Sequence, residues 1–150
     1  MNEQEEFSSY FRAIQIKFSR FYARFLTQAD LTLQQYALLN QLVTAGTMSM
    51  TDAGEKLMIT KPAVTNLVDR LEKGAFIKRI AHPEDRRIYL LEIQPKGRKV
   101  VREIQSVILK FLLKALNKFE PAERQVVVRF YALLSNTIDE NLAQDKKEKK

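Results

Sequence analysis

Large apolar residues recur every three or four positions at Phe7, Phe11, Ile14, Phe18, Phe21 and Phe25, the seam of a long amphipathic helix that the pattern ends near Thr27. Residues 31–43 (LTLQQYALLNQLV) predict a second helix, with Thr32 as N-cap, Leu38, Leu39 and Leu42 on one face, and Gly46 as its stop. Residues 49–56 (SMTDAGEK) predict a short helix capped by Ser49, followed by a turn through Met58 and Ile59 to Thr60. In TKPAVTNLVDRLEKG, Thr60 is placed to cap a new helix, and Pro62 is tolerated because the first N–H groups of a helix have no partner. Val64, Leu67, Val68 and Leu71 occupy the i, i+3, i+4 and i+7 positions, so that face is expected to be buried. Lys61, Ala63, Thr65, Asn66, Asp69, Arg70 and Lys73 are left outside, a small or polar set that begins where the helix dipole gathers positive charge.

Residues 76–80 and 88–93 are β-branched or aromatic stretches on either side of AHPEDRR, which reads as a hairpin with a loop longer than a tight turn. Pro95 and Gly97 open a helix running to about Phe119, with Val101, Ile104, Ile108 and Ala115 on its stripe. Pro121 starts a last helix, in which Val127, Phe130, Tyr131, Leu134, Ile138 and Leu142 recur at helical spacing before the charged tail QDKKEKK. The expected class is mainly α with a small β-hairpin. One domain over residues 1–150 is expected, with a central lobe at about 31–94, helices at about 3–28 and 95–143 flanking it, and residues 144–150 as tail.

Composition narrows the chemistry. The chain has 150 residues, 45% of them hydrophobic, enough for one domain with a real core. Lys and Arg number 25 against 18 Asp and Glu, a net charge of +7, which favours a polyanionic partner such as nucleic acid or an anionic membrane. The helix from Pro95 to Lys118 carries seven of the cations against Glu103 alone. A membrane-surface role for it is less economical than burial of its stripe in a dimer. The absence of cysteine excludes disulfides and thiolate chemistry, and His82 is the only histidine, so neither a zinc set nor any other metal or cofactor site is expected. His82 at the base of the loop is read as a hydrogen-bonding or phosphate-touching residue, with a titrating sensor as the alternative. The start MNEQEEF is acidic where a signal peptide is basic, and no run approaches the roughly 18 apolar residues of a membrane span, so a soluble cytoplasmic protein is expected. Glu84 and Asp85 lie beside two arginines that keep them ionised, and no nucleophile with a base is present, so an enzyme is not expected.

A short helix, a tight turn and a helix with a small polar face make a helix-turn-helix, whose second helix can enter a DNA major groove about 12 Å wide. The hairpin behind it is then a wing. Arg86 and Arg87 at its tip are placed to enter a minor groove, with Glu84 or Asp85 holding the guanidinium fork by bidentate pairing. Thr60, Lys61, Pro62, Ala63, Thr65 and Asn66 are the candidate contacts of the helix, with Thr65 and Asn66 toward bases and Lys61 toward phosphate. Arg70 has two readings: a DNA contact, or an internal pair with Asp69 or Glu72.

The stretch DAGEKLMITKPAVTNLVDRLEKGAFIKR followed by HPEDRRIYLLEIQPKG resembles the MarR family of winged helix-turn-helix transcription regulators. Val68, Asp69, Arg70 and Leu71 match its recognition-helix pattern, and Asp85, Arg86 and Arg87 its wing. The resemblance implies a homodimer on double-stranded DNA, typically a repressor at a pseudopalindromic operator, with the terminal helices interlocked. On that basis Phe7, Phe11, Ile14, Leu134 and Ile138 are assigned to the dimer interface. It also implies a pocket for a small-molecule effector, usually an aromatic acid, for which Phe18, Tyr22 and Tyr36, with Arg20 or Arg24, are the candidate lining. Met58 and Ala75 depart from the family, standing in or beside positions where glycine is usual, and Gly54 inside the short helix costs about 1 kcal/mol relative to alanine. The runner-up to a regulator is a winged-helix protein-interaction module or a nonspecific DNA-coating protein.

Overall fold

The computed structural model describes residues 2–148, with side chains through Gln144. The chain separates into two compact units, Met1–Gln105 and Ser106–Lys150. The first holds helices α1 (Glu3–Ala29), α2 (Leu33–Ala45), α3 (Met50–Leu57) and α4 (Lys61–Lys73), and strands β1 (Met48–Ser49), β2 (Ile77–Ala81) and β3 (Tyr89–Ile93). It also takes the first turns of α5 (Pro95–Leu116); the second unit takes the rest of α5 and α6 (Pro121–Glu148). The last helix therefore continues into the stretch expected to be a tail.

Local chemistry sets most of these boundaries. The helices α1, α2 and α3 each start with a reciprocal capping box, pairing Asn2 with Glu5, Thr32 with Gln35 and Ser49 with Asp52. In the last of these, the side-chain hydroxyl and backbone N–H of Ser49 hold the Asp52 carboxyl below its usual range. Thr60 occupies the N-cap position of α4 but makes no side-chain capping bond, contrary to the sequence expectation. Its hydroxyl and the amides of the first turn are left to other partners.

The sheet has three strands in the order β1-β3-β2, not the two of a simple hairpin. Leu91 faces Met48 on one side and Arg79 on the other, which sets the register of both antiparallel pairs. The two residues of β1 are too few to show an alternating pattern, so a third strand was not legible from periodicity. The α2 helix, with Leu38, Leu39 and Leu42, packs on β3, and α4, with Val64, Val68 and Leu71, on β2; these side chains and Val101 and Ile104 of α5 are all almost fully buried. Gly54 lies where α3 meets α4: a Cβ there would sit 3.1 Å from Val64 Cγ2 and 3.4 Å from the Ile59 carbonyl. Its helix-propensity cost is the condition for that close approach.

The second unit is built differently. The linker between its helices is closed by the Arg124 guanidinium, whose Nε donates to the Phe119 carbonyl at 2.8 Å, and by Glu123 accepting from the Glu120 N–H. Much of its apolar surface faces out, including Leu109, Leu113, Val126, Tyr131, Leu134, Ile138 and Leu142.

The end of α4 carries an unusual division of labour. Phe76 N–H bonds the Leu71 carbonyl and Ala75 N–H the Glu72 carbonyl, both at 2.9 Å, the two bonds of a Schellman cap. The left-handed residue is Ala75 (φ 58), while the preceding Gly74 has φ −78. Gly74 is required for space instead, since a Cβ there would meet the Phe76 ring at 2.7 Å. Met58 ends α3 in the same left-handed conformation (φ 52) with its side chain exposed. A left-handed alanine costs roughly 1–2 kcal/mol. Ala75→Gly is expected to stabilise the protein by about 0.5–1 kcal/mol, a rise of roughly 1–4 °C in Tm, whereas Gly74→Ala lowers it; thermal unfolding followed by circular dichroism checks both signs.

Candidate nucleic-acid interface

The helix-turn-helix is α3, the turn at Met58 and Ile59, and α4. Burial of Val64, Leu67, Val68 and Leu71 turns the other side of α4 outward, leaving Lys61, Pro62, Thr65, Asn66, Asp69 and Arg70 exposed and Ala63 half-buried. The Thr65 hydroxyl donates to the Lys61 carbonyl at 3.1 Å, so what it turns outward is an acceptor. Ala63, Asn66 and Arg70 share one flank, lining a cleft with Thr32, Leu33 and Gln34 at the start of α2. Thr60, Lys61, Pro62 and Thr65 lie at the N-terminal end of the same helix, which is the end that attracts phosphate.

The wing tip is ordered by short-range bonds. The His82 N–H donates to the Ile88 carbonyl and the Ile88 N–H to the Asp85 carbonyl, both at 3.0 Å. Nδ1 of His82 accepts from the N–H groups of Glu84 and Asp85 at 3.2 and 3.3 Å, so a neutral ring carries its proton on Nε2. The histidine is thus a hydrogen-bonding element of the turn. Asp85 Oδ1 accepts from the Arg87 backbone N–H at 2.9 Å, which corrects the expected bidentate pairing with a guanidinium. The carboxylate orders the main chain that presents the arginines, and the side chains of Arg86 and Arg87 are exposed.

The element that joins helix and wing was not visible in the sequence. Arg79 on β2, with only about a fifth of its side chain exposed, donates one nitrogen to Asp69 and another to Glu72, while its backbone N–H donates to Glu72 Oε1 at 2.9 Å. Asp69 and Glu72 are one turn apart on α4, so a single guanidinium fork spans both. These are the two acids considered as partners for Arg70, and they are taken by Arg79 instead; Arg70 stays exposed. The Arg79 backbone N–H, opposed by some desolvation and reinforced by the guanidinium, holds the Glu72 carboxyl below its ordinary value. A neighbouring cross-strand pair, Lys78 with Glu92 at 2.7 Å, ties β2 to β3.

Other assigned residues lie away from this surface. Phe7, Phe11 and Ile14 are exposed on α1, and Leu134 and Ile138 on α6. Tyr22 and Tyr36 pack ring on ring at 5.7 Å, and burial, then the neighbouring Tyr22 hydroxyl, pushes Tyr36 up to about 12. A cavity of about 560 Å³ in the first unit is lined by other residues, among them Leu26, Leu31 and Phe76; Phe18, Tyr22 and Tyr36 do not contribute to it. Among the described residues no group of acids and histidine is placed to hold a metal ion, and no helix is long and apolar enough to cross a membrane.

Replacing Arg79 with methionine is expected to destabilise the protein by about 1 kcal/mol at neutral pH, a modest figure because both carboxylates are partly solvated. Since the folded-state pKa of Glu72 is depressed below its ordinary 4.5, its share of that stability is present above this value and lost as pH falls through the lowered one. The gap between wild type and Arg79→Met in denaturant titrations should therefore be full at pH 7 and close in acid. A gap independent of pH would show that the carboxylates are not the partners that matter.

Comparison with known proteins agrees with this geometry. The MarR family description matches residues 31–89. The chain is 30% identical over 110 residues to the uncharacterized HTH-type transcriptional regulator YfiV of Bacillus subtilis, covering 73% of this chain and 69% of the relative. A MarR family protein from Bacillus stearothermophilus superposes with a TM-score of 0.76 at 22% identity, over 93% of this chain and 99% of the other. The S. aureus MepR–DNA complex superposes with a TM-score of 0.69 at 24% identity, over 87% of this chain and 98% of the other, and these two likenesses speak for the fold. The chain belongs to the MarR family of helix-turn-helix transcriptional regulators.

Proposed function

We propose that the protein is a cytoplasmic, non-enzymatic regulator that binds a pseudopalindromic operator as a homodimer and responds to a small ligand. The observation that carries the DNA-binding part is the common exposure of the α4 outer face and the Arg86–Arg87 tip on two elements bound together by Arg79. Asn66, exposed and with no side-chain hydrogen bond to another described residue, keeps its side-chain amide for the edge of a base. Lys61 and the uncapped first turn of α4 suit backbone phosphates. Arg86 and Arg87, free of the acids beside them, suit a narrow minor groove. The MepR structure is itself a complex with DNA, which supports the same use of the fold here.

The homodimer reading rests on exposed apolar surface. Phe11 and Ile14 on α1, and Leu134, Ile138 and Leu142 on α6, are large apolar side chains left in solvent, more than an isolated chain of this size normally shows. A second copy would cover them. Repression is the expected mode, because a dimer seated on promoter DNA excludes other proteins from it.

Selection of bound sequences from random duplexes should recover an inverted repeat with half-sites about one helical turn apart. On that site Asn66→Ala should relax preference at one base step by about 1–3 kcal/mol, and Arg86→Ala should lose affinity most where the flanks are A·T-rich. Recovery of no motif, with binding that fades steeply with salt, would favour a DNA-coating protein instead. Light scattering after size exclusion should give twice the chain mass for the wild type, and Leu134→Asp should reduce it; a wild type that runs as a monomer at micromolar concentration would defeat the dimer.

A further inference from the structure

We propose that Thr65 selects an amino-bearing base, adenine or cytosine, at one step of the operator, because its hydroxyl can face DNA only as an acceptor. This assignment rests on the DNA-binding role of α4 and names what one side chain of that surface reads.

A threonine hydroxyl has one hydrogen to donate and two lone pairs to accept with. In Thr65 the hydrogen is already engaged, since Oγ1 donates to the Lys61 carbonyl at 3.1 Å. The acceptor is backbone of the same helix, four residues back, so the bond stays with the side chain wherever α4 docks. Thr65 is exposed, and what it offers beyond the helix is the lone pairs. A β-branched side chain has few χ1 rotamers in a helix, and this bond holds one of them. Turning the hydrogen outward would break it.

Few groups on DNA suit such a hydroxyl. Phosphate and sugar oxygens are acceptors and repel it. On the major-groove edge, guanine N7 and O6, adenine N7 and thymine O4 are acceptors as well, which leaves the N6 amino group of adenine and the N4 amino group of cytosine as the donors. A hydroxyl free to turn would donate to phosphate, guanine or thymine and carry little information. The held hydroxyl of Thr65 instead separates amino from keto bases on the strand it faces.

The neighbouring side chains do not duplicate this role. Over the N-terminal part of α4, the Lys61 ammonium only donates, the Pro62 ring does neither, and the Asn66 amide does both. Asp69, further along, is an acceptor too, but its Oδ1 is held by the Arg79 guanidinium. Between Lys61 and Asn66 the acceptor-only side chain that faces out is Thr65.

The test is selection of bound sequences from random duplexes with wild type, Thr65→Val and Thr65→Ser, each checked for folding by thermal unfolding. Valine keeps the branched shape without the oxygen, and serine keeps the oxygen. One column of the motif is expected to divide adenine and cytosine from guanine and thymine on one strand by about three- to tenfold, the worth of one neutral hydrogen bond. That division should vanish in Thr65→Val, with the other columns unchanged, and persist in Thr65→Ser. On the selected site the amino group is then deleted at that step, with purine in place of adenine or 2-pyrimidinone in place of cytosine. Wild type should lose several-fold more affinity than Thr65→Val does. A motif in which no column responds to Thr65→Val, or an amino deletion that costs wild type and Thr65→Val equally, would overturn the assignment and leave the DNA-binding role standing; an amino deletion that costs wild type nothing would overturn it without recourse to any variant. Recovery of no motif would instead remove the DNA-binding role, and the assignment with it.

Discussion

The fork of Arg79 across Asp69 and Glu72 is the constraint on which the geometry of the exposed surface depends. A recognition helix and a wing are useful together only if the spacing between them is fixed, and sequence separation offers no such guarantee. Here the spacing is set by one guanidinium that cannot satisfy both acids unless strand and helix are in register, supported by a backbone N–H from the same residue. The register of β2 on β3 then carries that position out to the tip. Apolar packing of Leu71, Ile77 and Leu91 supplies the adhesion, and the polar fork supplies the alignment.

Periodic burial was legible in the sequence because α4 is amphipathic in the simplest way, with Val64, Leu67, Val68 and Leu71 on one stripe and polar groups on the other. Helix starts were legible at Thr32 and Ser49, where the capping residue and its partner three positions on are both present. At Thr60 neither half of that box forms: Pro62 has no N–H to give a cap, and Ala63, three positions on, has no carboxylate or amide to reach back. The strand β1 escaped because two residues cannot alternate.

The departures at the site share a cause. Arg70, Asp69 and Glu72 are neighbours in sequence, so an internal pair stood open as one of two readings of Arg70; the acids' actual partner arrives from β2 only after the chain has reversed, which leaves Arg70 exposed. Asp85 was likewise paired with the nearest arginine side chain, whereas a turn leaves the backbone N–H of Arg87 closer to it. The cavity lined by Leu26, Leu31 and Phe76 was not legible because it is assembled from chain segments far apart in sequence, whereas Tyr22 and Tyr36, offered as pocket lining, pack on each other. Local pattern reports which face of a helix is buried; it does not report which distant charge will meet it.

The helix that bears the exposed polar face starts without the side-chain cap that opens α1, α2 and α3. It follows a left-handed Met58 and finishes through a left-handed Ala75. Its middle is locked by four buried side chains while its first turn is left to fray, which in hydrogen exchange would appear as early amides that open locally while the centre waits for global unfolding. A phosphate arriving at that first turn would supply the missing acceptor, so the protein would gain order in the act of docking. Part of the binding free energy would then be spent on completing the helix, and affinity would be tuned by residues that never touch the partner.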